Sequence, residues 1–525
     1  MQALSPYELK AALADSQELA LIDMREELFF SRAHLLLARS IPLSRLELKF
    51  AGLVPRRATR IVLCDDADGL AARAAHVLVQ AGYDNISILD GGIAAWAKAG
   101  FELFSGINVP SKAFGEFVEH ASSTPSISAD ELDRLMREGS NLVVLDSRPF
   151  DEYRRLSIPS AINVPGAELV LRIRDLAPSP DTMVLVNCAG RTRSIIGAQS
   201  LINAGVPNKV VALRNGTMGW NLAGRCCESG SARRAPKVSP AALAWAKAAA
   251  DRVASRLGIE RIDRKTLEEL RADETRTLYL FDVRDPAEYA AGHVDGALSA
   301  PGGQLVQATD QYIGTLCARI VLVDDAEVRA LMTASWLRQM GWQDVLVLSE
   351  AGREMAYPPP PILGEGPPAQ LRIDCAQLAD LNARGEAIIV DLSLSRDYRK
   401  AHIPGAWFAI RSRLAGALRK LSLRGTLVLT SEDGLVAGLA APEAKSLVDI
   451  PVRWLNGGNA AWHAAGHPLI ADDIRMADDA IDAWLKPYEQ PRDATEAMRE
   501  YLAWEIDLPK RIERDGSLQF ARLSL

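Results

Sequence analysis

Cysteine is scarce in this chain: six among 525 residues, namely Cys64, Cys188, Cys226, Cys227, Cys317 and Cys375. So thin a supply excludes a disulfide-built scaffold. No Cys-x-x-Cys pair occurs, which removes support for a thioredoxin motif or a zinc ribbon, and no metal or organic cofactor is expected. No apolar run approaches the roughly 20 residues that cross a bilayer. The opening MQALSPYELK has no basic stretch leading into an apolar one, so no secretory leader is expected and the expected compartment is the cytoplasm. Positive charge is not in excess either: 60 Lys and Arg against 67 Asp and Glu leave a net charge of −7. That balance argues against nucleic acid or an anionic membrane as main partner. A small anionic substrate stays compatible, because local charge decides its binding.

What is present is an ordinary globular composition, 48% hydrophobic and 24% charged. At about 100–200 residues per domain, the length implies roughly three to five domains. The chain also repeats itself. An apolar run ending in Asp recurs four times: LALIDMR at Asp23, LVVLDSR at Asp146, LYLFDVR at Asp282 and AIIVDLS at Asp391. A short turn and an extended piece follow, as in SIPSAINVP (157–165) and HIPGAWFAI (402–410). Then come a second strand (RIVLC, MVLVN, RIVLV, TLVLT), a polar loop, a helix-period stretch and a third strand. Units one, two and four close on a glycine-led turn and a Trp: Trp96, Trp220 and Trp462.

Strands alternating with helical stretches define an α/β class with parallel sheets, and short apolar runs read as buried central strands. The expected units are 1–105, 126–228, 260–354 and 371–470, with a charged helical tail at 471–525 that carries no catalytic feature. Residues 105–125 are weakly patterned. Residues 231–258 include an Ala-rich helical connector. AYPPPPILGEGPPA (356–369) reads as an extended spacer, because proline prevents both helix and central strand.

The order of these pieces resembles the rhodanese (thiosulfate sulfurtransferase) family. The residues that carry the resemblance are VLDSRPFDEY (144–153), INVP (162–165), VLVNCAGRTRS (184–194) and NGTMGW (215–220). The resemblance implies four rhodanese-like domains, each a parallel sheet flanked by helices, with a nucleophilic cysteine in a tight loop at a strand's carboxyl end. That is where ligand sites lie on open α/β sheets.

The loop itself, Cys188-Ala189-Gly190-Arg191-Thr192-Arg193, lies between a strand and a helix. Such a loop turns successive backbone N–H groups inward, and together with the helix N-terminus this nest favours an anion, hence the thiolate of Cys188. Gly190 permits the tight turn, and Arg191 and Arg193 are expected to orient an oxyanion. The resemblance implies sulfur transfer through a Cys188 persulfide, from a small anionic donor such as thiosulfate to a thiol or cyanide. Asp146 and Arg148 form a D-x-R pair expected to brace the loop.

A cysteine phosphatase would place five residues between Cys and Arg. Here Arg193 follows Cys188 after four, a smaller cradle suited to a sulfur atom. No histidine falls within unit two's framework, which disfavours a Cys–His mechanism. Aligned by their strands, the other loops offer Asp65, Asp325 and Ser431 in place of Cys188, so units one, three and four are expected to be inactive. Units one and two would form one pair and units three and four another. A non-catalytic scaffold, or a module that binds a sulfur carrier, is the alternative. Cys226 and Cys227, just after unit two, are candidate sulfur acceptors.

Overall fold

The computed structural model describes residues 2–349, 362–490 and 492–522. Each of the apolar runs found above becomes a strand, and most of their residues are fully buried, because helices cover both faces of every sheet. There are four five-stranded sheets, each with its strands, taken in chain order, lying first, fifth, fourth, second, third. All pairings are parallel. The aspartates that close the apolar runs end the second strand of each sheet and lie level with the last residue of the fourth strand: Asp23 with Cys64, Asp146 with Asn187, Asp282 with Val323, Asp391 with Thr430.

That register fixes which residue of each unit answers to Cys188. In units one, two and four it is the residue expected: Asp65, Cys188 and Ser431. In unit three the residue directly after the strand Arg319–Val323 is Asp324, so the sequence alignment on Asp325 was one place late. The doubled aspartate leaves the strand end ambiguous in sequence, and only the ladder resolves it.

The units do not pair as one with two and three with four. Units two and three share one hydrophobic core, from Phe114 and Leu169 to Trp336 and Val347. Gly166 and Gly303 let their backbones meet: a Cβ on Gly303 would fall 3.0 Å from the Gly166 nitrogen. Arg329 crosses the same junction to Glu168 at 2.6 Å. The Ala-rich connector is a helix, Pro240–Leu257, buried along one face, that packs its Ala246, Ala249, Ala250 and Val253 into this shared core. Unit one pairs with unit four, where Arg411 forks onto Glu47 at 2.7 Å and Arg45 donates to the Leu392 carbonyl at 2.8 Å. The spacer expected at 356–369 lies outside the described residues as far as 361. Beyond it, Leu363 packs into unit one's core.

The junction of units one and four carries a titration. Glu26 is buried and accepts hydrogen bonds from Ser44 at 3.0 Å and Ser412 at 2.7 Å. Burial raises its carboxyl to about 7, against the lowering effect of the two hydroxyls. A carboxyl raised in the folded state stabilises fully below its unfolded value, and that contribution is lost as pH rises through about 7. The melting temperature of the parent should therefore fall between pH 5 and pH 8 relative to Glu26→Gln, by a free-energy difference of at most about 3 kcal/mol. Parallel melting curves across that range check it, and curves that keep a constant separation would refute it.

Candidate active site

Unit two's fourth strand, Met183–Asn187, runs straight into Cys188, and a helix begins at Thr192. The carbonyl of Cys188 accepts from Thr217 N at 2.8 Å and Thr217 Oγ1 at 3.0 Å, and that of Ala189 from Met218 N at 2.9 Å. The NGTMGW turn thus holds the loop from below. A Cβ on Gly216, whose φ is +54°, would lie 2.4 Å from the Cys188 carbonyl oxygen. Gly216→Ala should therefore displace the loop and lower the melting temperature by several degrees, since strain and collision add. A melting curve beside that of the parent tests this.

Asp146 and Arg148 lie beneath the loop, both buried. The guanidinium forks onto the carboxylate at 2.9 and 2.7 Å, and Asn187 Nδ2 donates to the same carboxylate at 3.0 Å. Arg148 also donates to the Leu156 carbonyl at 2.6 Å. This is a structural brace inside the unit, and Asp23–Arg25 and Asp282–Arg284 repeat it.

Cys188 is 2% exposed, and its Sγ lies 3.4 Å from Ser194 Oγ in the first turn of the helix. Ser194 was not singled out in sequence, although it directly follows Arg193. The two loop arginines do not stand free, as an oxyanion clamp requires. Arg191 forks onto Glu116 at 2.6 Å through two nitrogens, meets Glu119, and donates to Asn215 Oδ1 at 3.1 Å. Arg193 holds Glu152 at 3.0 and 3.3 Å and reaches Gln304 of unit three at 3.0 Å. Burial alone would raise the Glu152 carboxyl, but Arg193 and Lys486 hold it down to about 2. The arginines therefore tie the loop to its surroundings as members of partly buried ion pairs. Thr192 is buried at the helix start, and Gly115 of the helix Val109–Ser122 approaches it so closely that a Cβ there would lie 2.9 Å from the Thr192 Cα.

Glu116 and Glu119 come from the stretch read as weakly patterned, and nothing in that stretch marked them. Glu152 was legible in hindsight: it belongs to the recurrent DEY/AEY piece, and Glu288, its counterpart in unit three, meets Arg329 at 2.7 Å. The tail is also part of the site. Its helix, Ala494–Asp515, passes over Gly190, where a Cβ would lie 3.3 Å from Glu505 Oε2 and 3.8 Å from Tyr501.

The other three units show what the same position holds. In unit one the Asp65 carboxylate accepts from Ala67 N and Ala71 N, both at 2.9 Å. In unit three Asp324 accepts from Arg329 N at 3.2 Å, and in unit four Ser431 Oγ accepts from Ala437 N at 3.4 Å. Unit four keeps the same backbone frame, with Asn459 N and Ala460 N donating to Ser431 O and Glu432 O at 2.9 Å. Cys226 is exposed and Cys227 half-buried, its Sγ 3.2 Å from Asn221 Oδ1. Burial pushes the Cys227 thiol up to about 11, which works against a thiolate acceptor at neutral pH. Among the described residues no cluster of His, Cys, Asp and Glu is arranged to hold a metal ion, and no helix is long and apolar enough to cross a membrane.

Four parallel sheets of one strand order, each with a loop after the fourth strand, define a tandem α/β repeat protein. The sequence profile described as the rhodanese-like domain matches residues 5–99, 128–223, 263–352 and 374–465, and the chain belongs to that family. Over its full length it is similar to the crystal structure of a thiosulfate sulfurtransferase from Pseudomonas aeruginosa, with 47% identity, 100% of both chains covered and a TM-score of 0.95. Single-domain likenesses are more distant. YrkF of Bacillus subtilis, provisionally named a sulfur carrier protein, is 26% identical over 136 residues, which is 24% of this chain and 72% of that protein. The HTH-type transcriptional regulator Rv0324 of Mycobacterium tuberculosis is 32% identical over 110 residues, 21% of this chain and 47% of that one.

Proposed function

We propose that this rhodanese-like enzyme transfers sulfane sulfur through Cys188 alone. One observation carries the reading: Asp65, at the position of Cys188 in unit one, is a carboxylate held by two loop and helix N–H groups at 2.9 Å. The same fold position thus turns backbone N–H donors toward the side chain that occupies it, and in unit two that occupant is the Cys188 sulfur.

In the first half-reaction the Cys188 thiolate attacks the outer sulfur of the donor. A Cys188–sulfur bond forms, the donor's sulfur–sulfur bond breaks, and sulfite leaves with the bonding pair if the donor is thiosulfate. In the second, cyanide or a thiolate attacks the terminal persulfide sulfur, and Cys188 departs as thiolate. Donor charge is met by the N–H groups of Ala189 to Arg193, since the guanidinium groups of Arg191 and Arg193 are occupied by Glu116, Glu119 and Glu152. This leaves room for donors other than thiosulfate, such as 3-mercaptopyruvate or a protein persulfide. Units one, three and four serve as scaffold: each fills its cradle with Asp65, Asp324 or Ser431.

Mass spectrometry of the protein after incubation with thiosulfate tests the reading. A gain of about 32 Da on the Cys188 peptide, removed by a reductant or by cyanide, is expected. A protein that takes up no sulfur from thiosulfate, 3-mercaptopyruvate or a persulfide would instead be a binding scaffold.

A further inference from the structure

We infer that the C-terminal helix is a hinged lid over the Cys188 loop, with Glu505 and Pro509 marking its hinge, so that the site described above is its closed state. The inference rests on Cys188 as the reacting group.

The helix Ala494–Asp515 has two unlike halves. Its first half covers the loop: Tyr501, Leu502 and Glu505 are the side chains that surround Gly190. Its apolar hold there is small, a cluster of Met498, Leu502 and Met218 with Leu222, Tyr488 and Tyr501 at its rim. Methionine contacts of this kind adapt and come apart with little cost in fit. The second half is anchored on unit one. Leu508 and Ile512 are buried with Phe104 and Val109. Arg511 donates to Glu102 at 2.8 Å and to the Leu103 carbonyl at 2.6 Å, and Asp515 meets Lys10 at 3.0 Å.

Between the halves the helix is weakened. Pro509 has no N–H, so the carbonyl of Glu505, four residues earlier, receives no helical hydrogen bond, which is a standard cause of bending. At the same turn two polar atoms are buried without partners, Glu505 Oε2 and Trp504 Nε1. Such orphans cost free energy that water would return on opening. The closed position is kept by Lys112, whose ammonium meets Glu505 Oε1 at 3.0 Å, and by Tyr501 Oη, which donates to the same oxygen at 3.1 Å. Cys188, two residues before the covered Gly190, is only 2% exposed, and lifting the first half is the movement that would open the loop to donor and acceptor. Lids of this kind exclude water from a reactive intermediate, here a persulfide.

The experiment measures the rate at which iodoacetamide alkylates Cys188 in the full-length protein, read on the Cys188 peptide by mass spectrometry. Leu502→Ala removes the apolar latch, and labelling about tenfold faster than in the parent is expected. Pro509→Ala restores the missing helical bond with the best helix former, and labelling several-fold slower is expected, with an unchanged or higher melting temperature. Pro509→Ala decides the matter alone if Leu502→Ala fails to fold. Parent-like labelling in Pro509→Ala overturns the hinge. Because alkylation needs no sulfur transfer, rates that shift as expected in a protein that moves no sulfur would leave the lid standing and sink the proposed function.

Discussion

Cys188→Ala is expected to abolish thiocyanate formation from thiosulfate and cyanide while leaving the melting curve within about 1 kcal/mol of the parent. The effect on rate is total because the sulfur atom is itself the covalent carrier, and no neighbouring group can replace it. Cys64 is fully buried against the Ile22 carbonyl, with burial pushing its thiol well above the usual range, and the other three units offer Asp65, Asp324 and Ser431. The effect on stability is small because the thiol makes one contact, 3.4 Å to Ser194 Oγ, and alanine leaves the loop's backbone bonds to Thr217 and Met218 intact. Activity surviving in the variant would mean that a different thiol carries the sulfur. The exposed Cys226 would then be the first to replace.

Asp146→Ala is expected to be the most destabilising of the substitutions considered, by about 3–5 kcal/mol. Its size comes from what is left behind. Arg148 is 4% exposed and its guanidinium faces Asp146, so removing the carboxylate strands a buried positive charge. Asn187 loses an acceptor as well. Unit four supplies the control. There Asp391 accepts from Ser393 N at 2.8 Å and Asn459 Nδ2 at 2.7 Å, but Ser393 stands where the arginine would be. Asp391→Ala strands no charge and should cost only about 1–3 kcal/mol. Thermal or denaturant unfolding of both variants measures the difference. Equal losses would mean that the ion pair adds nothing beyond its hydrogen bonds, and the brace would then be a matter of polar satisfaction alone.

Much of this was legible in the residues, for identifiable reasons. The strand-Asp runs, the polar loops and the glycine-led turns recur because each unit must bury a sheet between helices, and that need writes a periodic pattern. The loop around Cys188 could be found because a strand end, a glycine and a helix start are consecutive in the chain. Asp146 and Arg148 were expected as a brace, and the structure shows them as a buried ion pair.

What the chain order did not contain was which unit would face which. The expectation that unit one pairs with two and unit three with four failed because pairing depends on surfaces: the Ala-rich helix Pro240–Leu257 carries no charge on its buried face and joins units two and three into one core. The same blindness hid the partners of the loop arginines. Arg191 and Arg193 looked like free cations because Glu116, Glu152 and Gln304 lie 75, 41 and 111 residues away in sequence. The tail looked featureless because its first half is amphipathic only with respect to a loop some three hundred residues earlier. The sequence by itself determined the repeat and the α/β class and singled out the loop around Cys188, since each is a short-range pattern of polarity and turn chemistry. Only the tertiary structure decided that the arginines are spent on carboxylates and that the last helix closes the site, because burial and ion pairing are settled between distant segments once the chain has packed.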